Sequence, residues 1–180
     1  MAACSLAPLL GGCHGYVDAP NAVQSNRMYH STANLLPDGR VVMGGGDARV
    51  YDYEIYSPYY LGLALQSHKP SGVAFVPTPP PVDPITGADI LAYGSQYNMQ
   101  CAILPANVTL DKVVLIPPGA TTHSFDMHQR YIELSTNVTA PNQVTITVPA
   151  LEDKAPRGVY MLWLVTNTGA VSDAKWVVLQ

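Results

Sequence analysis

The sequence predicts an all-β chain: a two-sheet sandwich over its later two thirds, behind a short strand-rich opening unit. Three observations carry that expectation. The 180 residues include 14 glycines and 16 prolines, about one residue in six, and these favour turns and interrupt long helices. No segment longer than about ten residues repeats apolar positions at helical spacing. Short apolar runs instead recur between Gly, Pro and Asn, as strands do.

Composition narrows the class further. Charged residues make up 12% of the chain and apolar ones 48%, against roughly 25% charged in an ordinary soluble domain. A core is therefore expected, and disorder is not. The net charge of −4 is spread without runs, which argues against a nucleic-acid partner. No apolar stretch approaches the roughly 20 residues of a membrane-spanning helix, so no membrane span is expected.

Taken in order, residues 1–25 read as a poorly structured segment. Their apolar look lacks the positively charged start of a signal peptide, the first basic residue being Arg27. Residues 26–65 read as part of a propeller blade. Met28 to Leu36 is a strand, Pro37-Asp38-Gly39 a tight turn in which Pro presets φ and Gly supplies φ > 0, and Arg40 to Met43 the returning strand. Gly44 to Gly46 closes that hairpin, and Tyr53 to Tyr56 follows as a third strand before Ser57-Pro58. A single blade cannot cover its own faces and edges.

Residues 66–180 read as an immunoglobulin-like sandwich. Pro77 to Pro84 holds five prolines in eight residues and excludes a central strand. Beyond it come apolar runs at Tyr97 to Ile103, Lys112 to Ile116, Arg130 to Leu134, Gln143 to Val148, Val159 to Thr166 and Lys175 to Leu179, the rhythm of a sandwich. Cys4, Cys13 and Cys101 cannot form a closed disulfide set. The sequons at Asn107 and Asn137 are compatible with secretion.

Histidine carries the candidate chemistry. His30 follows Tyr29 at the start of the first hairpin, and His123 lies in the loop Pro118 to Asp126. Tyr29, His30 and His123 together would suit a tetragonal nitrogen and oxygen site, the preference of Cu(II). Neighbouring side chains on a regular strand point to opposite faces, so Tyr29 and His30 can share a metal only at a strand end or irregularity. The plain alternative is that each histidine is a surface or half-buried residue with a backbone partner.

Arg27-Met-Tyr-His-Ser-Thr-Ala33 with Leu35-Leu-Pro-Asp-Gly-Arg-Val41, Glu54-Ile-Tyr-Ser-Pro58, Gly119-Ala-Thr-Thr-His-Ser-Phe-Asp-Met127, Gly158-Val-Tyr-Met-Leu-Trp163 and Ala174-Lys-Trp-Val177 resemble, in order, the C-terminal part of the galactose oxidase and glyoxal oxidase family of copper radical oxidases. The resemblance implies an immunoglobulin-like (early-set) β-sandwich preceded by a partial Kelch-type propeller blade. It places His30 and His123 at two equatorial copper ligands, and Tyr29 at an axial tyrosinate that is also the catalytic base for the substrate alcohol. It further implies one copper ion, oxidation of a primary alcohol or aldehyde, reduction of oxygen to hydrogen peroxide, and an extracellular location.

Nothing before residue 26 resembles the earlier blades. There the family keeps its radical Cys-Tyr pair, its stacking tryptophan and its substrate arginine. The chain alone is therefore expected to be inactive. It is expected either to work with a propeller-bearing partner chain or to self-associate through its blade strands. The alternative is a free-standing module that binds carbohydrate or protein, with vestigial copper residues.

Other residues have plainer expected roles. His128 is expected to face solvent, and Asp126 to brace the loop through Arg130. Trp163 and Trp176 are expected to be buried. Most of Tyr51, Tyr53, Tyr56, Tyr59 and Tyr60 should pack the blade on the sandwich. His14 and His68 should be exposed.

Overall fold

The computed structural model describes residues 27, 29–46, 53–123, 125–128 and 130–180. The segment 1–25, with Cys4, Cys13 and His14, lies outside the described residues, and so does Tyr51. Among the described residues fourteen strands form four sheets, and the α-helical content is the single turn α1 (Leu63–Gln66).

The opening unit is a three-stranded antiparallel sheet of β1 (Ser31–Leu35), β2 (Val41–Gly45) and β3 (Tyr53–Tyr56). The Pro-Asp-Gly turn folds as its residues demand. Gly39 has φ 89 and its N–H donates to Leu36 O at 2.9 Å, while Leu36 N–H donates to Arg40 O at 2.8 Å. β1 starts later than the sequence suggests, because Tyr29 and His30 form a turn ahead of it.

Two sheets make the sandwich. One has the order β10 (Ile132–Glu133), β7 (Leu110–Ile116), β13 (Gly158–Thr166), β14 (Lys175–Leu179), β5 (Asp89–Leu91), with only the β14–β5 pair parallel. The other has the order β11 (Ser135–Ala140), β12 (Gln143–Thr147), β6 (Gln96–Ile103), β4 (Ser71–Val76). β8 (Thr121–Thr122) and β9 (Phe125–Asp126) form a small hairpin in the loop after β7. β4, β5 and β11 join the six sandwich strands expected from the sequence.

The two central strands of the five-stranded sheet are buried on both faces, as their unbroken apolar runs require. Val113, Leu115, Leu162 and Leu164 face the other sheet, in a core with Leu91, Met99, Ile146 and Leu179. Their neighbours Val114, Ile116, Met161, Trp163 and Val165 face outward into a second core with Tyr60 and Val171, against which Leu35, Leu61 and Leu65 pack. The opening unit and its connector thus cover the outer face of the sandwich. Each fully buried aliphatic side chain there contributes about 1.5–3 kcal/mol.

Polar ties fix the docking. Tyr60 Oη donates to Gly39 O at 2.8 Å, and Ala174 N–H donates to Pro37 O at 2.8 Å. Lys69 pairs with Asp173 at 2.6 Å. Two expectations about aromatic residues need correction. Among the described members of the tyrosine group, Tyr60 alone belongs to the core of this junction, whereas Tyr53 and Tyr59 are 70% and 62% exposed. Trp163 is buried, but Trp176, across from Met161 on β14, is 39% exposed. His68 is half-buried rather than exposed.

Candidate metal centre

Two turns bring the candidate residues together. The first lies just ahead of β1. Arg27 anchors it: one guanidinium nitrogen donates to Gly45 O at 3.1 Å and another to Glu54 Oε1 at 3.0 Å, across β2 and β3. His30 then turns with φ 62, in the left-handed region. That turn removes the geometric objection to neighbouring residues sharing a site, since strand alternation does not apply outside the strand. It also needs Gly45 opposite: a Cβ there would lie 2.6 Å from His30 O.

The second turn is the tip of the β8–β9 hairpin. Thr121 pairs with Asp126 and Thr122 with Phe125, so His123 falls in the connection. Its φ of 51 suits the left-handed turns that match the twist of such hairpins. His is among the residues that tolerate this region, at a cost on the order of 1 kcal/mol. The Nδ1 of His123 shares a 2.8 Å hydrogen bond with Thr122 Oγ1. That contact fixes the ring and leaves Nε2 as the outward nitrogen, as an orienting partner does in metal sites.

The rings meet. Tyr29 lies 4.0 Å from His30 and 6.1 Å from His123 between ring centroids, at 48° and 59°. All three side chains belong to exposed residues, so their donor atoms remain open to a ligand. Two imidazoles and a phenol form a nitrogen and oxygen donor set of the kind Cu(II) accepts. Among the described residues no cluster of three or more His, Cys, Asp and Glu side chains offers a competing metal site.

The hairpin is held to the opening sheet by residues that sequence reasoning missed. Thr121 Oγ1 donates to Asn34 Oδ1 at 3.2 Å, and Asn34 Nδ2 donates to Thr32 Oγ1 at 2.9 Å. Gly119 lies directly against the Asn34 carboxamide. Thr121 and Thr122 sit two and one residues ahead of His123, which was the available signal.

Asp126 braces the loop, but not through Arg130. Its Oδ1 accepts the N–H of Ala120 at 3.0 Å and of His128 at 2.9 Å. Among the described residues there is no ion pair between Asp126 and Arg130; the partners of the carboxylate are these two backbone amides. His128 is exposed, with Nδ1 3.2 Å from Pro118 O.

Known proteins share this arrangement of sheets and sequence. The family described as galactose oxidase-like, early set domain, matches residues 80–179. Aldehyde oxidase GLOX of Vitis pseudoreticulata is 32% identical over 160 residues, covering 85% of this chain and 30% of that protein. Galactose oxidase of Gibberella zeae is 28% identical over 168 residues, covering 90% of this chain and 22% of that protein. A solved fungal alcohol oxidase in complex with copper superposes with a TM-score of 0.67 at 23% identity, covering 89% of this chain and 32% of that one. This last likeness is one of fold. The chain thus spans less than a third of the length of the curated relatives it matches.

Proposed function

The chain belongs to the galactose oxidase-like early set family, and from that membership we propose that it is the C-terminal part of a copper radical oxidase, with Tyr29, His30 and His123 as ligands of one copper ion. The observation that carries the reading is the meeting of Tyr29, His30 and His123 at two left-handed turns far apart in sequence. Nothing in the packing of either segment alone requires it.

Copper held there supplies an acceptor for one of the two electrons that alcohol oxidation releases, the second needing another redox centre. The remaining roles fall to this chain's own groups. His30 and His123 would present imidazole nitrogens to the metal, and Thr122 orients the second through its hydroxyl. Tyr29, whose ring lies beside both imidazoles, would take the hydroxyl proton of a primary alcohol. Overall, alcohol and oxygen would become aldehyde and hydrogen peroxide. Turnover would need a propeller-borne radical centre, either in a partner chain or in the part of the relatives' length that this chain does not span. An extracellular setting fits the same reading.

Copper titration with electron paramagnetic resonance, beside His123→Ala, tests it. One tetragonal Cu(II) per chain, lost in the variant, is the expected result. Copper absent, or indifferent to His123, would overturn the ligand assignment and favour the binding-module alternative.

A further inference from the structure

The face of the sandwich farthest from the metal centre has an unusual chemistry. β4, β6, β11 and β12 contain no charged residue at all. Their outer surface is instead a grid of amides and hydroxyls. Ser135, Thr147 and Gln96 form one cross-strand row, and Asn137, Thr145 and Asn98 the next. Thr145 Oγ1 donates to Asn98 Oδ1 at 2.7 Å within that row, while Val144 and Ile146 point the other way into the core. β11 is the edge of this sheet, and Asn137, Val138 and Thr139 are all exposed on it. An exposed edge strand without lysine, proline or any charge is a template for pairing with another chain.

Those three residues are an Asn-X-Thr sequon. A second, Asn107-Val108-Thr109, occupies a turn in which Val108 N–H donates to Pro105 O at 3.2 Å and Asn107 has φ 65. Asn107 is exposed and lies at the start of β7, the end opposite the loop that carries His123. Among the described residues, neither carboxamide is engaged in a hydrogen bond.

We propose that Asn137 and Asn107 are acceptors of N-linked glycans, and that the glycan on Asn137 covers the uncharged sheet face and shields the β11 edge. In the transfer, the Nδ2 of each asparagine forms a bond to the anomeric carbon of a lipid diphosphate-linked oligosaccharide. The bond from that carbon to the diphosphate oxygen breaks, the lipid diphosphate leaves, and the amide gives up one proton. No oxidation or reduction occurs. The fold then has only to leave both side chains outside, which it does. The opening sheet covers the outer face of the other sheet, so the modification leaves the metal centre clear. The inference shares with the copper reading only the expectation of a secretory route.

The test directs the full chain into the secretory pathway of a eukaryotic cell and treats the product with peptide N-glycosidase in heavy-oxygen water. Labelled aspartate is expected at positions 137 and 107 in peptide mass spectra. Asn137→Gln and Thr139→Ala should each remove one glycan step on a gel, and Thr139→Ser should retain it. This readout survives misfolding of a variant, because transfer precedes folding. Secreted Asn137→Gln should also shift toward larger species in size-exclusion chromatography relative to the parent. An unlabelled position 137, or a gel pattern indifferent to Thr139→Ala, would overturn the proposal. Label at 107 alone would overturn the shielding role of Asn137, as would unchanged size on its loss. Copper binding before and after glycan removal should be equal, and its absence from both leaves the glycan result standing.

Discussion

Thr121 and Asn34 join the two halves of the candidate metal centre: the threonine hydroxyl of the β8–β9 hairpin donates to the carboxamide oxygen of β1 at 3.2 Å. His30 lies on one side of that bond and His123 on the other. The distance between the two imidazoles is therefore set by polar packing rather than by a continuous element.

Gly119 is the sensitive point of that packing. A methyl group there would run into the Asn34 side chain, which is already held by Thr32 and Thr121. Gly119→Ala should push the hairpin off β1 and weaken copper binding about tenfold, equivalent to roughly 1.4 kcal/mol. Global stability should fall less, since the sandwich cores are untouched. Adding Asn34→Ala should recover part of the affinity by making room. A titration of the three variants checks this, and equal affinity for Gly119→Ala and parent would show that the hairpin is not positioned by this contact.

Adjacent residues of β13 should fail differently. Leu162 faces the core between the two sandwich sheets, and Trp163 faces the opening unit. Leu162→Ala should cost about 2–5 kcal/mol, and Trp163→Ala about 3–5 kcal/mol. The consequences part at the site. Trp163→Ala loosens the opening sheet from the sandwich and should lose copper while the strands of the sandwich keep their amide-exchange protection. Leu162→Ala should lower protection across β6, β7 and β12. The same exchange pattern in both variants would count against two separate cores.

The apolar strands and the Pro-Asp-Gly turn were legible in the sequence because their chemistry is local. β13 reads as a strand from Val159 to Thr166 whatever surrounds it, and Gly39 supplies the φ the turn demands. β5 and β11 were not legible, for opposite reasons. β5 is three residues long and exists through its parallel pairing with β14, a tertiary contact. β11 carries Ser, Thr and Asn on an uncharged outer face, which gives little period-2 contrast. At the site, the identity of Tyr29, His30 and His123 could be read, but their convergence rests on two positive φ values that histidine does not announce. Asp126 takes backbone amides as partners instead of Arg130, and such partners leave no mark in a sequence.

Those two φ values give a test that needs no metal. An alanine at position 123 must still adopt the left-handed region, whereas glycine enters it freely. Metal-free His123→Gly should therefore be more stable than His123→Ala by about 1 kcal/mol, a difference of about 2–4 °C in Tm for a chain of this size. At Ser135, which is exposed in an extended strand, the order should reverse, because glycine there costs about 0.5–1 kcal/mol relative to alanine. Thermal unfolding of the four variants decides it. Alanine equal to or better than glycine at position 123 would remove the left-handed turn.

Tyr131 should set part of the alkaline limit of stability. It packs against the core under the opening unit, and its hydroxyl is buried without a hydrogen-bond partner among the described residues. Burial, followed by the nearby charges of Glu133 and Asp111, pushes its phenol up to about 12. The unfolded chain ionises near 10. Between about 10 and 12 the folded state then holds the proton that the unfolded state has lost, so stability is fully present below 10 and declines as pH rises through that window. Tyr60, Tyr93 and Tyr160 are raised by burial in the same direction, so the decline is shared. Tyr131→Phe removes both the orphan hydroxyl and its proton. It should leave stability at pH 7 unchanged or raised, because an unmatched buried hydroxyl costs about 1–3 kcal/mol. It should also make the fall in Tm between about pH 10 and 12 shallower. A variant less stable at pH 7, with an undiminished alkaline slope, would mean that the hydroxyl has a partner and that its ionisation is not penalised by the fold.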